Sequence, residues 1–503
     1  MPYVSITPNV PGVRTNGTDY SNKGRYVDSD LVRFHNGNVR PIGGWTKYTG
    51  TSLTGQPMSM HAFKDKADNN VLAVGTRSKL YIFYNDTWTD ITPTSFVAPT
   101  VNSALGYGAY LYGKEDYGDA RSSSGLQTKF DRWSLDNWGE QLIACCSSDG
   151  RILKWDSNSG GTADTIATAI TNAPTGCEGA IVTNERHLVA LGASNDPRKI
   201  QWSDQEDYTT WTPASTNSAG SLQLRTKGKI VSAERWQTDI LLFTSNGLHR
   251  MYYQGQPFIY GIQKTAEAVG AMASETIVNT SGFVVWMTDN GFVIYDGTVR
   301  PIECDVHDYI FDNIYDNFGP VSCGGHNAEW GEVIWFFPSG TSQIPDKYVI
   351  WNYRENHWAV GTTLKRVCWL DRGVFPYGLA CDSSGNVYQQ ERTQLNDSAG
   401  VDSAVPYVTT GPMEIGEGDR IAQVNQLLPD EECYNLPSLT FEFTGRPNPL
   451  GSSTSLGSFQ FDSDGYTDAR FNAREVTMKI KGVTTENFVV GNIRANIKLR
   501  GKR

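Results

Sequence analysis

One unit recurs along most of this 503-residue chain: a run of β-branched and aromatic residues, a tight turn, and a second such run. It is clearest in LIACCSSDGRILKW (turn at Asp149-Gly150), ILLFTSNGLHRMYY (Asn246-Gly247), FVVWMTDNGFVIYDG (Asn290-Gly291) and YGLACDSSGNVYQQ (Ser384-Gly385). Asn-Gly and Asp-Gly reach positive φ cheaply, as the primed hairpin turns require, so each unit reads as a β-hairpin closed by such a turn. Weaker copies are VLAVGTRSKLYIF around Ser78-Lys79, HLVALGASNDPRKIQW around Asn195, and EVIWFFPSGTSQIPDKYVIWNY around Thr341. From Asp149 onward successive turns lie about 42 to 52 residues apart, the period of one four-stranded propeller blade per repeat. The expected fold is all-β, a β-propeller of six or seven blades.

Several units close on an aromatic and a turn: YNDTWTDITP ending at Pro93, QEDYTTWTP at Pro213 and YRENHWAVG at Gly361. A large aromatic at one phase of each blade suits neighbouring twisted sheets that bury their faces against each other. A second echo concerns the start of the chain. LVRFHNGNVRPIGG, from Leu31, parallels FVIYDGTVRPIECD, from Phe292, so that Val39-Arg40-Pro41-Ile42 repeats as Val299-Arg300-Pro301-Ile302. The N-terminal segment thus resembles blade strands without a blade of their own. It is expected to complete a blade begun on the C-terminal side, closing the ring and removing both sheet edges.

Composition agrees: 50 Gly, 12% aromatic residues and almost no long amphipathic helical stretch form a turn-rich all-β signature. The start, MPYVSITPNVPGV, lacks a charged region followed by an apolar one, and no run of about 18 apolar residues occurs, so neither secretion by that route nor a membrane span is expected. Cys145, Cys146, Cys177, Cys304, Cys323, Cys368, Cys381 and Cys433 are scattered rather than arranged as a disulfide framework. Reduced thiols buried in strands, and assembly in a cytoplasm, are the expectation. A net charge of −11 argues against a surface that grips nucleic-acid phosphates, although an acidic wall would let a duplex slide past.

Two segments break the rhythm. Residues 94–132, rich in Gly, Tyr and Ser, lack apolar periodicity; so long a stretch is either a surface loop or an extension that contacts a partner. From about Val401, LTFEFTG alternates Leu439, Phe441 and Phe443, and REVTMKIKG alternates Val476, Met478 and Ile480. That pattern predicts a separate antiparallel β domain with one face buried. Its basic end, with Arg494, Lys498, Arg500, Lys502 and Arg503, reads as a solvated tail or as a subunit or DNA contact. The expected organisation is an N-terminal segment and first blade over 1–93, an insertion over 94–132, the remaining blades over 133–400, and a C-terminal β domain over 401–503.

Motifs that carry chemistry are nearly absent. SSDGRILKW, from Ser147, approaches the Asp-box of sialidase propellers but lacks the residue between Asp and Gly. No pair among the 54 acidic residues stands out as a glycosidase pair, and no Walker loop, HExxH, GxSxG or dinucleotide fingerprint occurs. No catalytic or cofactor-binding residue is assigned, and none is assigned to a metal. Two groups of residues come nearest to a metal site. Cys304-x-x-His307 and Cys323-x-x-His326 have ligand types that suit zinc, although HDYIFDNI, from His307, has the apolar spacing of a short connecting helix. Asp462, Asp464 and Asp468 offer oxygens for calcium but lack the twelve-residue loop and its distal Glu.

DSDLVRFHNGNVRPIGGW, MHAFKDKADNNVLAVGTRSKLYIF, the Gly/Tyr-rich insertion followed by WSLDNWGEQLIACC, CDVHDYIF, MEIGEGDR, and the closing FNAREVTMKIKG and GNIRANIKLRG resemble, in this order, virion structural proteins of tailed bacteriophages. Within that group the chain is similar to the tail nozzle or tail tubular proteins of short-tailed, podovirus-like phages. The resemblance implies a non-enzymatic homohexameric ring beneath the portal and its adaptor, assembled in the bacterial host cytoplasm and carried in the virion tail. Such a ring extends the DNA channel without binding genomic DNA specifically, retains the genome until ejection, and anchors tail fibres or tailspikes. It implies no cofactor, and it makes the 94–132 insertion the first choice for a distal gate. Two other classes remain open: a receptor-binding or fibre-type propeller module, and a propeller glycoside hydrolase.

Overall fold

Each of the seven hairpins forms the middle pair of a four-stranded antiparallel sheet, and the seven sheets are the blades of a β-propeller. In chain order, the second and third strands are Asn70–Thr76 with Leu80–Tyr84, Gln141–Cys146 with Ile152–Asp156, Leu188–Leu191 with Lys199–Trp202, and Asp239–Thr244 with Gly247–Gly255. The last three pairs are Val284–Thr288 with Gly291–Tyr295, Glu332–Phe337 with Lys347–Asn352, and Leu379–Cys381 with Val387–Gln390. These are blades 1 to 7. The computed structural model describes residues 3–99, 102–103, 127–315, 319–392, 405–415, 420–462, 465–482 and 487–501. Second strands such as Glu332–Phe337 and Asp239–Thr244 are buried along their whole length. Each lies inside a blade that is covered on both faces, so its sequence is a continuous apolar run rather than an alternation.

The turns close differently from expectation. In the four clearest hairpins positive φ is confined to Gly150, Gly291 and Gly385, so two adjacent positive-φ residues, which the type I′ turn needs, are absent. A threonine at the end of the second strand takes over in three blades. The hydroxyls of Thr76, Thr244 and Thr288 donate to the carbonyls of Lys79, Gly247 and Gly291 at 3.1, 2.8 and 2.9 Å. The same oxygens accept from the N–H groups of Lys79, Gly247 and Asn290 at 2.9, 2.9 and 3.3 Å, a side-chain substitute for the backbone turn.

Neighbouring blades interlock through indoles. The ring N–H of Trp133 in blade 2 donates to Thr76 O at 2.8 Å, and that of Trp369 in blade 7 to His326 O at 2.9 Å. Gly75 and Gly325 make room: a Cβ there would stand 2.4 and 2.2 Å from the respective indole. Of the closing aromatics, Trp88 and Trp358 lie in fourth strands, Thr87–Asp90 and His357–Gly361. Trp211 instead lies in the loop before its blade's fourth strand, buried, with its ring N–H donating to Tyr208 O at 2.7 Å.

The N-terminal segment closes the ring. Trp45–Lys47 is the fourth strand of blade 7, with Trp45 opposite Gln390 and Lys47 opposite Tyr388. The repeated Val-Arg-Pro-Ile plays another part than the echo suggested: Val299–Ile302 is the fourth strand of blade 5, whereas Asn38–Pro41 pairs with Val32–His35 as a separate hairpin. That hairpin carries Arg33 into the protein, where it is 2% exposed. Its guanidinium meets Glu391 with two hydrogen bonds of 2.8 and 2.5 Å and Glu332 at 3.0 Å, and lies 4.3 Å from the Trp330 ring centroid. Burial pushes the Glu332 carboxyl up to about 7 against the opposing pull of Arg33, because one cation faces two carboxylates out of water.

The remaining strands form a β-sandwich. One sheet runs Tyr3–Ser5, Ile493–Leu499, Ala422–Pro429 and Phe471–Ala473; the other runs Tyr26–Asp30, Tyr407–Thr410, Glu475–Lys481, Thr440–Arg446 and Thr454–Phe459, with Met413–Glu414 beside Glu475–Lys481. Leu439, Phe441, Phe443, Val476, Met478 and Ile480 are all buried in it, as the alternation requires. The strands Tyr3–Ser5 and Tyr26–Asp30 come from the segment that the sequence assigned to the propeller. They are three and five residues long, too short to show a period. Ser29 then exchanges hydrogen bonds with Val360 of blade 6 at 2.7 and 3.1 Å, and Val39 pairs with Val490 of the sandwich. Residues 3–47 therefore stitch the sandwich to the propeller. In the insertion, Asn102–Ser103 pairs with Gln127–Lys129; the Gly/Tyr-rich centre expected to form a gate lies outside the described residues, as do Asp464, Lys502 and Arg503.

Replacing Arg33 by Met strands the buried Glu332 and the half-buried Glu391 and is expected to cost about 3–5 kcal/mol. Glu332→Gln, which leaves one cation against one carboxylate, is expected to be close to neutral at pH 7. Thermal denaturation of both variants checks the contrast; equal losses would contradict the clasp.

Candidate functional site

The first strands of the blades stand side by side around the axis: Pro57–Lys64, Trp133–Trp138, Gly179–Val182, Ile230–Trp236, Val278–Asn279, Cys323–Asn327 and Cys368–Leu370. They enclose a cavity of ≈ 280 Å³ reached by residues of all seven blades. Its walls are more polar than apolar, and the charged groups on them are not spread evenly. Arg235 of blade 4 meets Asp136 of blade 2 with two hydrogen bonds of 2.9 Å and donates to Val182 O of blade 3 at 2.9 Å. Asp136 also accepts from Val182 N–H at 2.8 Å. One ion pair thus ties three blades. Beside it the His61 ring bonds Asn137 Oδ1 at 3.0 Å, joining blades 1 and 2; burial lowers its pKa, which favours the neutral ring.

Glu234 and Glu275 lie on the same wall, half-buried. Burial pushes Glu234 up to about 8; Arg235 lowers it, and Asp136 and Glu275 raise it. Burial pushes Glu275 up to about 7, opposed by Arg132 and a hydrogen bond from Ser59. The axial cavity therefore holds carboxyls that exchange protons near neutrality. It is far too small for a duplex whose major groove alone is about 12 Å wide.

None of these residues was singled out from the sequence. The available signal was a charged residue inside an otherwise strand-like run just before the hairpin, as in SLDNW and SAERW. Recognising it requires knowing that the first strand of each blade faces the axis.

The metal candidates separate. The His307 ring, on the short helix His307–Phe311, bonds Asn290 Oδ1 at 3.1 Å. Cys323 is buried with its thiol toward Arg366 O, and His326 bonds Asp371 at 2.8 Å and Tyr353 Oη at 3.1 Å. Burial pushes the Cys304 thiol up to about 12, far from a thiolate ligand. No group of three or more His, Cys, Asp or Glu that could hold a metal occurs among the described residues. Asp468 pairs with Arg470 at 3.2 Å, and Asp462 sits in a turn closed by Gly465 N–H. All eight cysteines are free of disulfides. No helix among the described residues is long and apolar enough to cross a membrane.

No family model and no curated protein matches the chain. Among solved structures it is similar to the WD40 domain of Pan2 from Neurospora crassa, at 10% identity and a TM-score of 0.40 over 71% of this chain and 97% of that one. It is also similar to YCF48 from Cyanidioschyzon merolae, at 10% identity and a TM-score of 0.39 over 69% of this chain and 99% of that one.

A carboxyl whose folded pKa lies above its unfolded value favours the folded state at low pH and loses that contribution as pH rises through the folded value. For Glu234 and Glu275 the window runs from about 4.5 to 8. Between pH 6 and pH 9 the melting temperature is expected to fall, and to fall less in Glu234→Gln; an identical slope in the variant would contradict the assignment.

Proposed function

We propose that this chain is a non-enzymatic structural subunit of a phage tail nozzle. Support comes from the ordered likeness to nozzle proteins and from the mechanical character of the fold. The observation that carries the reading is the weave of residues 3–47 through both sheets of the sandwich and the last two blades. It makes one stiff block of two β architectures, suited to a ring that must contain a pressurised genome. With an axial cavity of ≈ 280 Å³, a duplex has no passage through the propeller itself, so the conduit must be the hole enclosed by several copies. A net charge of −11 per copy suits a wall that repels its cargo. Contacts to neighbours are assigned to two hairpin loops, where Phe258 is 75% and Leu450 99% exposed.

Negative-stain imaging of the purified protein, alone and mixed with its portal and adaptor, tests this. Six-fold rings that stack on the adaptor are expected. A particle that stays monomeric, ignores the adaptor and captures glycans would replace the nozzle by the receptor-binding reading.

A further inference from the structure

We infer that the outer face of the four-stranded sandwich sheet binds an anionic saccharide. The face follows from register. Ala422, Val424, Leu427, Ile493 and Ala495 point into the sandwich core, so the alternate residues of those strands point out. Tyr3, Asn496 and Gln426 form one cross-strand row, and Lys498, Gln423 and Asn472 another. Between the rows the strand Ala422–Pro429 is bulged at Val424 and Gln426, which inserts Asn425 as an extra residue and re-aims the neighbouring side chains. The result is a shallow cup of ≈ 420 Å³ lined by Gln423, Asn425, Gln426, Asp468, Arg470 and Asn496, within the roughly 300–1,000 Å³ of small-ligand sites.

Four of the six lining groups are amides, each able to donate and accept, the pattern that hydroxyl pairs of a sugar ring present in return. Tyr3, whose hydroxyl donates to Gln426 Oε1 at 2.7 Å, holds that amide's orientation and is itself exposed at the edge. Charge decides the class of sugar. On a chain of net −11 the described residues of this face include Arg470, which is paired to Asp468 at 3.2 Å, and beside the cup Lys498 and Arg500, the latter also donating to Gln423 Oε1 at 2.9 Å. Guanidinium and ammonium groups beside amides fit a carboxylate or phosphate on a hydroxylated ring. A protein partner would want an apolar, aromatic centre, and a single strand of nucleic acid several stacking rings; none of the residues lining this cup is aromatic, and Tyr3 stands at its edge.

The inference is independent of the assembly reading, since a monomer or a ring could carry it. Calorimetry on the full-length protein with an oligogalacturonate hexamer, maltohexaose and a deoxythymidine oligomer tests it. Binding of the uronate is expected, at least tenfold tighter than maltohexaose. Asn496→Ala at a half-buried, outward-facing position and Arg470→Ala at an exposed one, neither reaching the sandwich core, should each weaken it about tenfold with unchanged circular dichroism. Absence of uronate binding, binding indifferent to both substitutions, or tighter binding of the oligonucleotide would each overturn it.

Discussion

Everything else in this molecule depends on three residues of backbone pairing. Until Trp45–Lys47 lies against Val387–Gln390, blade 7 has three strands, and its outermost strand, Val387–Gln390, presents a row of unpaired donors and acceptors. Closure between residues more than three hundred positions apart carries a loop-entropy cost that backbone bonds alone offset poorly. Side chains supply the difference. Trp45 is buried, and Arg366 sits 4.9 Å from its ring and 4.7 Å from that of Tyr388, so one guanidinium lies against aromatic rings of both paired strands. A few residues beyond the hairpin carrying Arg33, the same backbone enters blade 7, so the buried pair with Glu391 and the strand pairing lock together.

The axial ion pair of Arg235 and Asp136 is the counterpart of this clasp on the inner side. It ties first strands of blades that are not neighbours, Trp133–Trp138 and Ile230–Trp236, across the polar-lined cavity of ≈ 280 Å³ that the first strands leave at the axis. Protonatable Glu234 and Glu275 are the price of that polar lining. On the outer side the sandwich shares the same thread, so movement of the sandwich relative to the blades would have to break Ser29 from Val360 and Val39 from Val490.

Repetition made much of this legible in the sequence. All seven hairpins occupy the same place in their blades because a strand buried on both faces has to be apolar throughout, and LLFT or VIWFF cannot be placed elsewhere. The closing role of the N-terminal segment was also legible, from an echo of four residues, although the residues that close the ring are the next strand along. What stayed hidden has physical reasons. Thr76, Thr244 and Thr288 close their turns by hydroxyl bonds that composition does not distinguish from ordinary strand threonines. Tyr3–Ser5 and Tyr26–Asp30 belong to the sandwich through pairing partners several hundred residues away. Glu234 and Asp136 gain their character from six other strands meeting at the axis, and the cup around Asn496 from a bulge that only register reveals.

Hydrogen exchange read by mass spectrometry over residues 45–47 tests the closure most directly. A ring locked by this strand requires its amides to exchange in one cooperative class with Leu379–Cys381 and Val387–Gln390. If residues 45–47 exchanged at the rate of an unpaired segment while the other three strands of blade 7 stayed protected, the propeller would stand without its clasp, and closure would not be what holds the molecule together.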